Sequence, residues 1–216
     1  MTRSTQLACN VQIPPALCGV GGACLYFDAD AAFSPARAYA VASATAQFIS
    51  QTAPTTAEAL LERVRVVVPQ SLFHLTAAFV ALTETLPDVR LVVVDALSTV
   101  FKQDDNPVAL RCLRTLVRRM VAFARQHSAA VVVTTGVSTK EVDPGYVGLD
   151  VAEEGRGERA FRAFSVRGLG VFLASQCAFR LFLCATMDGK RAVVVHSPAL
   201  PEPLVVSYAI DEDGFC

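Results

Sequence analysis

From Leu91 to Val94 four apolar residues follow one another without a break, and Asp95 closes the run. Uninterrupted apolar sequence of this length describes a strand covered on both faces, as in parallel sheets clothed by helices. An antiparallel sheet with one wet face would alternate instead. The segment therefore points to an α/β fold in which a buried strand delivers one carboxylate to the sheet edge. The glycine-rich GxxxxGK(S/T) loop that cradles phosphates occurs nowhere in the 216 residues.

The remaining pattern alternates in the same sense. Ala23 to Asp28 reads as a strand, and Pro35 opens a helical run to about Gln51, since proline is tolerated in a first helical turn. After a break at Thr52 to Thr56, Ala57 to Arg63 reads as a short helix and Val64 to Val68 as a strand closed by Pro69. Gln70 to Leu86 carries Leu72, Phe73, Leu75, Phe79 and Leu82 as a helical stripe. Strand Arg90 to Asp95, a polar loop around Lys102 to Asn106, a helix from Pro107 to about His127 and strand Ala129 to Thr134 follow. Such β-α alternation predicts a largely parallel sheet with helices on both faces. The glycine-rich, charged stretch 136–167 is too long for an ordinary connection and reads as a mobile functional loop. Ala178 to Cys184, Arg191 to Ser197 and Leu204 to Ile210 read as antiparallel strands, with Met187 to Lys190 as a hairpin turn.

With 53% hydrophobic and 18% charged residues, the chain can bury a full core and is expected to form one domain over 1–216. A net charge of -1 gives no global attraction to nucleic acid or to an anionic membrane, so any such contact has to come from local clusters. Seven scattered cysteines without CxxC spacing argue against a zinc site or a disulfide framework and fit a reducing compartment. No signal-like N-terminus and no bilayer-length apolar stretch is present, so no membrane partner is expected.

Several segments, in order, resemble the RecA-like core of the eukaryotic recombinases, and within that family the paralogues that assist strand-exchange filaments. Gln6 to Pro14 is similar to the end of the helix that follows the phosphate loop, and Gly19 to Phe33 (GVGGACLYFDADAAF) to the next strand with its acidic turn. Arg90 to Leu97 (RLVVVDAL) resembles the Walker B strand, Ala130 to Val137 (AVVVTTGV) the sensor strand, and Ser197 to Gly214 the closing hairpin. The resemblance implies a three-layer sandwich with a largely parallel central sheet and antiparallel C-terminal strands. It also implies a nuclear role in homologous recombination repair, with other recombinase paralogues or the recombinase itself as partners.

The departures are as specific. In this alignment Met1 falls where the phosphate loop has already ended, Asp30 stands where the family has a catalytic glutamate, and Gly136 where it has a sensor glutamine. Asp30 is one methylene shorter and reaches less far towards an attacking water. These changes imply a homologue that does not hydrolyse nucleotide and needs no cofactor. The alternative is a DNA-dependent ATPase whose phosphate loop lies upstream of Met1 or comes from a neighbour; ATP and Mg²⁺ would then bind with Asp30 positioning water. A third reading, an unrelated α/β binding domain, would follow if 196–214 formed no hairpin on the main sheet.

For individual residues two readings stand side by side. Asp95 either holds Mg²⁺ through water or caps the next turn by accepting backbone hydrogen bonds. Asp28 and Asp30 either form an acid/base pair or are solvated. Arg37 either approaches the nucleotide base, as its position in the family implies, or is an exposed residue of a first helical turn. Arg111, Arg114 and Arg118, at spacings of three and four with no acid nearby, share one helix face that can track a phosphate backbone. Arg156, Arg159 and Arg162 fall where the family's second DNA loop lies, and with the helix they imply a groove for single-stranded DNA.

Overall fold

A computed structural model of the chain describes residues 2–103, 107–142, 160–165, 170–186, 189–200 and 204–210. Up to Thr134 the chain forms one compact unit, and Thr135–Ala209 a second.

The first unit is built on four parallel strands, β1 (Ala23–Asp28), β2 (Val64–Val67), β3 (Val89–Asp95) and β4 (Ala130–Val133), in the order β2-β1-β3-β4. Helices α1 (Thr2–Asn10), α2 (Pro35–Ile49), α3 (Ala57–Glu62), α4 (Leu72–Thr85), α5 (Leu97–Gln103) and α6 (Pro107–His127) precede and connect them. Side chains alternate across β1, and the two sets meet different layers. Cys24 and Tyr26 pack with Ala8 of α1 and with Leu91 and Val93 of β3. Phe27 faces the other way, onto Phe79 of α4, which in turn meets Phe123 of α6 edge-on at 5.9 Å between ring centroids. Helices thus cover both faces of the sheet in a three-layer RecA-like sandwich. Every residue of β1 is buried, as its unbroken apolar sequence requires.

Local signals set the helix starts. Ser34, Thr56 and Ser71 each accept a hydrogen bond from a backbone N–H three residues on, capping α2, α3 and α4. Pro35 occupies the first turn of α2, where a missing N–H costs nothing.

The second unit holds an antiparallel pair, β5 (Val137–Val142) with β6 (Ala160–Ser165), then α7 (Gly170–Gln176) and an antiparallel sheet β7 (Arg180–Thr186), β8 (Gly189–His196), β9 (Leu204–Tyr208) in that order. Among the described residues no helix is long and apolar enough to cross a membrane.

Four expectations need correction. Between Asp95 and the expected loop stands a helix that the sequence reading lacked: Leu97, Val100 and Phe101 are buried at helical spacing and α5 runs to Gln103. The stretch 136–167 is not one loop, since β5 and β6 pair across it from Val137↔Ser165 to Val142↔Ala160; residues 143–159 lie outside the described set. Pairing of β7 with β8 reaches Thr186↔Gly189, so Gly189 and Lys190 belong to the strand and not to the turn. Phe73 is 46% exposed although it sits in the apolar stripe of α4, because Leu72, Leu75 and Phe79 already fill the inward arc.

Candidate functional site

The chain passes from β1 outwards to β2 and then crosses to β3 on the other side of β1, so the strand order reverses between β1 and β3. Ligands of open α/β sheets bind in the crevice at the carboxyl ends of such a pair. Here the register sets Asp28 directly opposite Asp95 at those ends.

Asp28 is 4% exposed, which excludes the solvated one of its two readings. Its two carboxylate oxygens accept the backbone N–H groups of Ala32 at 3.0 Å and Phe33 at 2.8 Å. Those bonds fold the acidic turn back onto the strand end, with Ala31 at a φ of 52°. A carboxylate engaged by two amides closes the loop.

Asp95 is half-buried and is held by side-chain hydroxyls, where sequence reasoning had offered backbone caps or a metal's water shell. Tyr26 donates to its Oδ2 at 2.7 Å, and Thr134 donates to its Oδ1. Tyr26 lies two residues before Asp28 and so shares its face, which is how its phenol reaches the facing strand's terminal acid. Burial first, and then the Asp95 carboxylate, push the Tyr26 phenol well above the usual tyrosine range, while a hydrogen bond with Ser4 works the other way. Backbone bonds tie the same corner together: Ala29 N–H donates to the Asp95 carbonyl at 2.7 Å and Thr134 N–H to that of Val94 at 3.0 Å. The Asp95–Ala96 peptide is cis.

Asp30 is exposed, and the Thr99 hydroxyl of α5 donates to its Oδ1. Arg37 is half-buried in the first turn of α2, where its N–H donates to Ser34 Oγ at 3.3 Å. Mg²⁺ in nucleotide sites is usually held by one or two carboxylates together with substrate phosphates. Among the described residues no group of three or more His, Cys, Asp or Glu side chains is placed to hold a metal ion.

The second candidate region is α6. Ala109, Leu113, Leu116, Val117, Met120 and Phe123 are buried and fix its rotation, leaving Arg111, Arg114, Arg118, Arg119 and Arg125 exposed. Of the loop arginines, Arg162 sits on β6 opposite Lys140, its side chain outside the described set. Arg156 and Arg159 lie outside the described residues.

Sequence reasoning missed Tyr26, Thr134 and Thr99. A signal existed for two of them: Tyr26 is one strand period before Asp28, and Thr134 directly follows Val133, which pairs with Val94 beside Asp95. Thr99 carried no such signal.

Comparison with known proteins bears on the fold and the family. The chain is 28% identical over 228 residues to the DNA repair protein RAD51 homolog 3 of Cricetulus griseus, covering 97% of this chain and 57% of that one. It thus spans little more than half the length of this curated relative. The crystal structure of the RadB recombinase superposes with a TM-score of 0.63 at 21% identity, covering 90% of this chain and 78% of that one, a likeness of fold. The Rad51 family model matches residues 2–216, and with the parallel sheet and its acid-bearing switch point in place, the chain belongs to the Rad51 family.

Proposed function

We propose that the chain acts in homologous recombination repair, in the nucleus, as a structural or mediator subunit that binds other members of its family and single-stranded DNA without hydrolysing nucleotide. Family membership and the repair protein it resembles support the process. The observation that carries the non-hydrolytic part is the state of the acids at the switch point. Asp28, Asp30 and Asp95 all accept hydrogen bonds from groups of this chain, which supports a scaffold role for them.

The edge of the four-stranded sheet supports the partner-binding part of this reading. β2 ends the four-stranded sheet, with Arg65 and Val66 exposed along it, and Val68 and Phe73 just beyond are 42% and 46% exposed. An open edge strand flanked by exposed apolar side chains suits addition of a strand from another protein. Release of inorganic phosphate from ATP and Mg²⁺, with and without single-stranded DNA, tests the non-hydrolytic reading: none above background is expected, and turnover by the purified chain would overturn it. Affinity capture of the tagged chain from nuclear extract should retain other family members. Val66→Glu should abolish that capture, and retention by the variant would remove β2 from the interface.

A further inference from the structure

We infer that the outward face of α6 is a track for the phosphodiester backbone of a nucleic-acid strand lying along the helix. This deepens the proposed DNA contact, and rests on that reading only for the cellular process it serves. The exposed residues from Arg111 to Gln126 are Arg111, Arg114, Thr115, Arg118, Arg119, Ala122, Arg125 and Gln126. They include no acid, no aromatic and no large aliphatic side chain. Among the described residues none of the five arginines forms an ion pair; the one bridge seen joins Arg63 to Asp88.

The spacing gives the track its shape. Arg111, Arg118 and Arg125 recur every seven residues, drifting only about 20° around the axis at each step. At 1.5 Å per residue they mark a line of positive charge about 21 Å long, with Arg114 close beside it and Arg119 at its flank. All five cations are arginine, whose planar guanidinium pairs two N–H donors with two phosphate oxygens. A protein partner would call for a desolvated apolar centre inside a polar rim, and this face offers none. With a net charge of -1 for the whole chain, the cluster is a local anion site and not a consequence of global charge. The track needs no residue of the second unit.

Anisotropy of labelled oligo(dT) and of a duplex of equal length, titrated with the purified 216-residue chain over a salt series, tests the inference. Single-strand binding releases about 0.7 counterion per neutralised phosphate. The triple variant Arg111→Ala/Arg118→Ala/Arg125→Ala should therefore lower the slope of log affinity against log salt by about 2 and weaken binding at low salt at least about tenfold. The corresponding triple lysine variant should keep most of the slope. Stronger retention of oligo(dT) or of duplex identifies which nucleic acid uses the track, and either supports it. An alanine variant with unchanged slope would overturn the inference, as would polyglutamate displacing the oligonucleotide as well as unlabelled DNA does. Since the readout is binding by the isolated protein, a wild-type repair phenotype in cells lacking the chain would sink the proposed function and leave this result standing.

Discussion

Replacing Tyr26 by Phe removes one oxygen from a ring that is 2% exposed and leaves its packing against Phe33, at 5.1 Å between centroids, in place. The loss is the hydrogen bond to Asp95 Oδ2 at 2.7 Å. A bond to a charged group contributes about 1.5–3 kcal/mol. Asp95 is half-buried, so water substitutes in part for the phenol, which puts the expected cost near the lower bound, about 1.5 kcal/mol. For a chain of this size that corresponds to a fall in Tm of roughly 3–6 °C. The pH dependence gives a sharper check. The folded phenol titrates above its unfolded value, so its contribution is complete below about pH 10 and is lost as pH rises further, at about 1.4 kcal/mol per unit, because the unfolded state then binds fewer protons. The variant lacks this term. Wild type and Tyr26→Phe should therefore converge above pH 10 and reach equal stability near pH 11. Urea unfolding followed by far-UV circular dichroism at pH 7 and at pH 11 measures both quantities. Equal midpoints at pH 7, or a gap that stays constant up to pH 11, would refute the assignment of Tyr26 as the holder of Asp95.

Further consequences can be measured in the same way. Phe79→Ala empties the centre of the Phe27, Phe79 and Phe123 stack, and urea unfolding should show a loss of about 3–5 kcal/mol. Gln12→Ala removes the Nε2 that donates to the carbonyls of Ala8 at 3.1 Å and Leu60 at 2.9 Å; stranding those acceptors should cost about 1–3 kcal/mol in the same assay. Burial raises the Cys9 thiol to about 11 and Cys24 further still, whereas Cys18 is exposed. Short treatment with iodoacetamide at pH 8 followed by peptide mapping should find Cys18 modified and Cys9 and Cys24 intact until urea is added; early alkylation of Cys24 would contradict the buried β1 strand. Because both buried thiols titrate above their unfolded values, they too contribute stability that is lost as pH rises past about 8.5.

Much of the architecture was legible before any coordinates. Buried parallel strands write themselves as unbroken apolar runs, so β1 and β3 were found to within a residue. Ser34 followed by Pro35 marked the start of α2, and the three-four spacing of Arg111, Arg114 and Arg118 marked the exposed face of α6. The failures had local causes. The short α5 before a polar loop was missed whole, and a long glycine-rich, charged stretch hid β5 and β6, whose pairing joins residues as far apart as Val137 and Ser165.

The sequence by itself determined the fold class, the family and the presence of an acid at the end of each central strand, because burial, capping and turn formation are properties of neighbouring residues. Only the tertiary structure decided what those acids do. Asp95 finds its partners 69 and 39 residues away, and Asp30 finds Thr99 across a similar gap of 69. Strand order and register create those meetings, and no local pattern in the chain encodes them.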